Sequence, residues 1–388
     1  MPTEDEALRD RVRTIITRTK TTQGDLADVI GISPSKLSKS LSGARRFSTY
    51  ELAAIAQHGG TTVEWLLTGE EEPPLAVAAR GVSHASAAWD AAIERTETLS
   101  GVDAALSELD VPQLPVLAAP PRPEFSGRAI EDGPLLAEAT RTVLADCGLA
   151  AGLRNDIAGT IESAFGIHVA AEALGAGFDG LARCRKDFRL ILINTQISWS
   201  RQRFTIAHEL GHHLAGDVHA NGGLIADKNV MATGHALAEM RANAFAAALL
   251  MPKQQIEESV NACSTLDAAC FGEMVGRYLV SADALAWRLK GLRLVDEARR
   301  IKLARTSAPQ AARDGGWTEE YLDLVQHQGR ARLPQLLTHR TIGAFVDGTV
   351  SAQLPAMLLK CDPGLLYDAL DGVVTGEPAS DREPVFVP

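Results

Sequence analysis

The segment Ala207-His208-Glu209-Leu210-Gly211-His212 sets two imidazoles four residues apart, with a carboxylate directly after the first. Residues four apart on an α-helix differ by about 40° in azimuth, so His208 and His212 share one face. That placement suits Zn2+, a metal that takes imidazole nitrogen and carboxylate oxygen ligands. Glu209, one step along, flanks the metal without needing to bind it. From there it can take a proton from water activated by the metal and later return one to a leaving amine, the mechanism carried by H-E-x-x-H on a helix.

Catalytic zinc needs a third protein ligand and one open position. His213 is poorly placed, about 140° round the helix from His208. His219 suggests the metzincin pattern H-E-x-x-H-x-x-G-x-x-H, but Gly216 and His219 each fall one position late. The better candidate is Glu239, which opens a second helix about 30 residues downstream, as gluzincin metallopeptidases arrange theirs. Asn243, four residues on and on the same face, can hydrogen-bond a ligand histidine and fix its tautomer. His235, one turn before Glu239, is a further candidate for a transition-state hydrogen bond or a substitute ligand. His168, His213, His219, His327 and His339 read as surface or core residues.

These groups need two helices and a sheet to position them. The pattern predicts helices over 199–215 and 234–250, the second halted at Met251-Pro252. Helices are also predicted at 135–147 and 153–165. Phe188–Asn194, an apolar β-branched run, predicts a strand, and Gly166–Ala170 a second one. Zinc peptidases commonly hold an extended peptide along a strand edge by main-chain hydrogen bonds, and 188–194 is the expected edge.

Three stretches resemble the ImmA/IrrE metallopeptidase family: Ile191–Asn194 with Arg201–His212, then Glu239–Pro252 (E-x-x-A-N-x-F-A-A), then Val280–Leu289. The likeness covers roughly residues 130–295. It implies a gluzincin-like fold with a small sheet packed on the zinc-bearing helices, and cleavage of a partner repressor protein. Matched positions carry the roles named above: His208, His212 and Glu239 as ligands, Glu209 as base. Family members often have an acidic residue just before the Ala-Asn pair, where this chain has Arg241.

Residues 22–43 follow a helix-turn-helix pattern. Leu26, Ala27 and Ile30 form one inner face, Gly31 permits the turn, Ser33 caps the next helix, and Leu37 and Leu41 anchor it. Further helices are expected at Tyr50–Gln57 and Val63–Leu67. Residues 8–69 resemble the Xre/Cro-type repressor domain. The resemblance implies a second helix in the major groove, with Ser33, Ser35, Lys36 and Lys39 towards bases or phosphates, Gln23 at the neighbouring helix start, and Arg45 and Arg46 on the backbone. It also implies a homodimer on paired half-sites of double-stranded DNA.

The formal charge of −11 does not exclude such a module, because residues 1–69 hold nine Lys or Arg against eight Asp or Glu. Five scattered cysteines without a C-x-x-C argue against a disulfide framework and fit a reducing, cytoplasmic setting. No apolar run approaches the length needed to span a bilayer.

The expected fold is mainly α with a small β-sheet (α+β), in four parts. These are a five-helix DNA-binding domain (1–69), a helical and Pro-rich linker (70–125), a gluzincin-like zinc peptidase domain (126–300), and a helical C-terminal extension with a flexible tail (301–388). The expected function is a DNA-binding regulator whose zinc peptidase cleaves a partner protein, such as a repressor. The alternative is an antitoxin or autorepressor whose peptidase-like domain holds a partner toxin with little or no proteolysis.

Overall fold

The computed structural model describes residues 4–19, 21–30, 32–59, 66, 87–220, 224–226 and 233–374. They divide into two compact units, Met1–Val77 and Ala78–Pro388. As expected, the molecule is mainly helical with one small sheet.

Among the described residues of the first unit are the helices Glu4–Thr19, Gln23–Val29, Pro34–Ser42 and Thr49–Gly59. Thr22 and Asp25 close the second helix reciprocally. The Asp25 amide donates to Thr22 Oγ (3.2 Å), and Asp25 Oδ2 accepts from the Thr22 amide (2.9 Å). Ser33, in extended conformation, caps the third helix by accepting from the Lys36 amide, and Pro34 opens it. Leu26, Ala27, Ile30, Leu37 and Leu41 are buried together, and Leu66 joins them. Gly31 and, Leu66 apart, the expected helix at Val63–Leu67 lie outside the described residues.

The second unit is built on a four-stranded sheet of order β1-β3-β2-β4. The strands are β1 (His168–Glu172), β2 (Gly180–Arg185), β3 (Phe188–Asn194) and β4 (Leu224–Ala226). β3 runs parallel to β1 and antiparallel to β2. Its side chains alternate between two cores. Val169, Ile191 and Ile193 face one, together with the helices Ala129–Asp146, Ile157–Phe165, Trp199–Ala215 and Thr233–Leu250. Ala170, Leu190 and Leu192 face the other. A strand buried on both faces reads as a continuous apolar run, which is why Leu190-Ile191-Leu192-Ile193 shows no alternation.

Helices from both ends of this unit cover the second face. The helix Ala87–Glu108, placed in a linker by sequence, covers that face with Leu99, Val102 and Leu106. The C-terminal helices Gln335–Val346 and Gln353–Leu359 join it through Leu337, Phe345 and Leu358. The Pro-rich stretch is likewise tied into this unit, since Leu117 and Ala118 donate backbone hydrogen bonds to Ser163 and Ala164, both 3.0 Å. Proline made the stretch look like a spacer, but residues between the prolines keep their amide donors.

The strand expected to offer its edge to substrate is also corrected. β3 is paired on both sides, so no peptide can add to it. Among the described residues, β4 pairs only with β2 and leaves one side open.

Cysteine usage was misjudged too: Cys263 and Cys270 form a disulfide, while Cys147, Cys184 and Cys361 are not disulfide-bonded. The first lies just past the helix Lys253–Ala262 and the second in the opening turn of Ala268–Tyr278, so the chain reversal between the helices brings their Cα atoms to 6.3 Å. Among the described residues no helix is long and apolar enough to cross a membrane.

Candidate metal centre

Two helices hold the centre. The histidine helix, Trp199–Ala215, packs on the glutamate helix, Thr233–Leu250, which packs in turn on Ala129–Asp146. Glycine sets both approaches. A Cβ on Gly211 would lie 2.8 Å from the Phe245 ring, and one on Gly133 would lie 2.6 Å from the Arg241 carbonyl oxygen. The close contacts put His208 and His212 opposite Glu239 and Asn243.

His208, His212 and Glu239 each aim one ligand atom at a common point, all within 4.8 Å of one another. His208 Nε2 lies 3.1 Å from Glu239 Oε2, and His212 Nε2 lies 3.2 Å from Glu239 Oε1. The two Nε2 atoms are 3.1 Å apart.

The opposite ring nitrogens define the tautomers. His208 Nδ1 meets Asn243 Oδ1 at 3.2 Å, as the Asn243 spacing led one to expect, and His212 Nδ1 meets Asp217 Oδ2 at 3.1 Å. An ionised carboxylate only accepts, so His212 Nδ1 carries the proton and its Nε2 presents a lone pair. With Asn243 holding His208 in the same sense, two nitrogen lone pairs and a carboxylate converge. Such a set needs a cation, or protons on the inner nitrogens, to hold it together, and its N/N/O chemistry fits Zn2+.

Without a cation the imidazoles instead hydrogen-bond the carboxylate, and the electrostatics take that form. Burial raises the Glu239 pKa, but hydrogen bonds from His208 and His212 outweigh it and hold the carboxyl at about 2. Burial lowers the His212 pKa, but Asp217 and Glu239 outweigh it, so the net shift is upward. Glu209, between the two histidines in sequence, is completely buried, as is His212. Asn243, by contrast, is exposed.

Asp217 was not singled out from sequence. It follows Gly216, which ends the histidine helix at φ 81°, a left-handed conformation that favours glycine. That turn carries the next residue back beneath His212. An acidic residue directly after a helix-ending glycine, five positions past a candidate ligand, was the available signal. Arg241, noted earlier as a departure from the family's pattern, makes an ion pair with Asp217 Oδ1.

The remaining candidates fall as follows. His235 lies on the glutamate helix, but its side chain is outside the described residues, as is that of His219. His213 hydrogen-bonds the Leu190 carbonyl oxygen at 3.0 Å and takes no part in the cluster. In the first unit Gln23, Ser33, Ser35, Lys36, Lys39 and Arg46 are exposed. Arg45 is instead half-buried, with its guanidinium 2.6 Å from Glu51 and its Nε donating to Ser40 Oγ (3.0 Å). It braces the unit from within.

No curated protein matches the chain. Residues 162–290, which span the sheet, both metal helices and the helices that follow, match the Peptidase_M78 family model, the IrrE N-terminal-like domain. This stretch is therefore a metallopeptidase-like domain.

Proposed function

We propose that the second unit is a zinc-dependent peptidase acting on a protein partner, and that the first unit reads DNA. The observation that carries the peptidase reading is the convergence of His208, His212 and Glu239, with Glu209 next to His208 on the histidine helix. Zinc held there would make water nucleophilic near neutral pH and polarise a carbonyl. Glu209 would take the proton from that water and pass it to the leaving amine. Among the described residues one side of β4 is unpaired, which suits main-chain pairing with an extended peptide.

Next to Asn243 lies a cavity of about 670 Å3, lined by Phe204, Ala247, Met251, Val280 and Trp287. Of its charged neighbours, Arg201 pairs with Asp179 and Arg288 donates to the Met251 carbonyl oxygen at 2.9 Å, while Asp283 adds one exposed carboxylate. Such a lining suits an apolar substrate side chain, which supports a protein segment as substrate.

The DNA reading is supported by the helix Pro34–Ser42. It buries Leu37, Ser40 and Leu41 and exposes Ser35, Lys36 and Lys39 on its other side. A helix capped by Ser33 and presented this way suits the major groove, with a homodimer on paired half-sites. A partner repressor is the proposed substrate. The second reading, in which a toxin-like partner is held without cleavage, has the complete burial of Glu209 in its favour.

The test co-expresses the chain, or its Glu209→Gln variant, with the products of neighbouring genes. Wild type yields a specific cleavage product and the variant none, although both carry stoichiometric zinc. Neutralisation or repression that is unchanged in the variant, with no cleavage in either, selects the second reading. Purified protein without zinc, unaffected by His208→Ala, rejects the metal centre.

A further inference from the structure

The two ligand histidines are supported unequally. A neutral amide, Asn243, backs His208, whereas a carboxylate, Asp217, backs His212. That carboxylate is itself fixed by an ion pair, because Arg241 engages Asp217 Oδ1 while Oδ2 serves the imidazole. Arg241 belongs to the glutamate helix, two residues after Glu239. One side chain therefore connects the helix bearing the third ligand to the carboxylate that orients the second.

Arg241 is held on its other side as well. Its guanidinium stacks 5.3 Å over the Phe125 ring. Asp132 lies close enough that the Arg241 charge helps to lower its pKa, against burial, alongside hydrogen bonds from Ser126 and Gly127. The Ser126 amide donates to Asp132 Oδ1 at 2.7 Å, and the Gly127 amide to Oδ2 at 3.1 Å. Gly133, beside Asp132, is where Ala129–Asp146 meets the glutamate helix without room for a Cβ. The guanidinium thus has little freedom to swing away from Asp217.

We infer that Asp217 and Arg241 are positioning residues for the metal ligand His212: Asp217 holds the imidazole with Nε2 towards the metal, and Arg241 holds Asp217. The inference rests on the metal-centre reading above. An imidazole whose outer nitrogen is tied to a carboxylate is fixed in tautomer and orientation and made more basic, which strengthens its bond to the metal. Arg241 also offsets the Asp217 charge, so the outer carboxylate orients His212 without competing for the ion. A helix that carries both Glu239 and Arg241 sets the third ligand and the support of the second in one step.

The experiment measures zinc affinity of the full chain by competition with a chromophoric chelator, and the visible absorption of the Co2+-loaded protein. Variants are Asp217→Asn, Asp217→Ala, Arg241→Met, Arg241→Lys and His212→Ala. Loss of an outer partner of this kind weakens metal binding by about 10- to 100-fold. Asp217→Ala is expected at the upper end, and Asp217→Asn, which keeps the shape and one acceptor, at the lower.

Arg241→Met keeps a long stem against Phe125 and is expected to weaken zinc binding by about 10-fold, with Arg241→Lys restoring part of it. The Co2+ bands should shift in both Asp217 variants while Co2+ still binds. Asp217→Asn, nearly isosteric, guards against a simple folding defect, checked by thermal unfolding of the metal-free proteins. If His212→Ala abolishes zinc binding but the Asp217 and Arg241 variants bind as wild type does, the positioning role is overturned and the metal centre stands. If wild type binds no zinc, both readings fall together.

Discussion

At the residue scale, the centre depends as much on what is missing as on what is present. Gly133 has no room for a methyl group, because the nearest atoms are the backbone oxygen of Arg241 and the backbone nitrogen of Phe245, at 2.6 and 2.7 Å from a would-be Cβ. Backbone cannot rotate away as a side chain can. Gly133→Ala must therefore push the glutamate helix outward, at a cost of about 1–3 kcal/mol typical of overpacking. The shift would move Glu239 and Arg241 together. Urea unfolding should show the lower stability and chelator competition a weaker zinc affinity. A variant with the wild-type midpoint and affinity would mean that the helix contact does not set the centre.

At the scale of elements, the second face of the sheet is where sequence and structure part company. The helix Ala87–Glu108 and the C-terminal helices were read as linker and extension because nothing local in them announces a partner. Their partner is the far side of β3, more than 80 residues from either the start of one or the start of the other in sequence. By contrast, the histidine helix was legible because the His208–His212 spacing lies within it, and the glutamate helix because Glu239, Asn243 and the stop at Met251-Pro252 lie close together in sequence. The short strands β2 and β4 went unread for a similar reason: β2 mixes Arg183 and Arg185 with small residues, and β4 is only three residues long. Asp217, not singled out from sequence, reaches His212 through a turn rather than through helical spacing.

Buried charge locks this second layer. Arg340 places Nη1 2.5 Å from Asp103 Oδ1 and Nη2 2.6 Å from the Val111 carbonyl oxygen, joining the C-terminal helix to the helix Ala87–Glu108. Arg340→Met would leave Asp103 as a buried carboxylate without this partner, costing about 3–5 kcal/mol in urea unfolding. The double variant Arg340→Met with Asp103→Asn should recover part of that loss, since the stranded charge is gone. Equal stability of single and double variants would rule out the ion pair as the lock.

His168, on β1, lies against the same layer. Burial lowers its pKa to about 4, with Arg340 and Arg189 adding to the effect and Asp103 opposing it. The unfolded chain takes up that proton near pH 6.5 and the folded protein only near pH 4, so stability is lost as pH falls through that window. The full difference is about 3 kcal/mol. His168→Gln, neutral throughout, should flatten this limb of the stability curve relative to wild type. An unchanged pH dependence would place the acid sensitivity elsewhere.

For the whole molecule, charge is divided as two separate tasks would require. Residues 1–69 carry nine basic against eight acidic groups, a net of +1, so the remaining chain carries −12 and the whole −11. An acidic body repels nucleic acid, and any affinity for DNA must come from a few well-placed cations. Arg45 is spent on Glu51, which leaves Lys36 and Lys39 as exposed lysines of the helix Pro34–Ser42. Lys36→Ala with Lys39→Ala should weaken binding of the full chain to a duplex from its own promoter region.

The salt dependence makes that prediction specific. Each phosphate contact contributes about 0.9 to the slope of log K against log salt, so losing two should lower the slope by nearly 2. Glu209→Gln, buried in the other unit, should leave both affinity and slope unchanged. Fluorescence anisotropy over a range of salt concentrations reads both quantities. If the lysine variant keeps the wild-type slope, another surface meets the phosphates, and the helix Pro34–Ser42 is not the reading element.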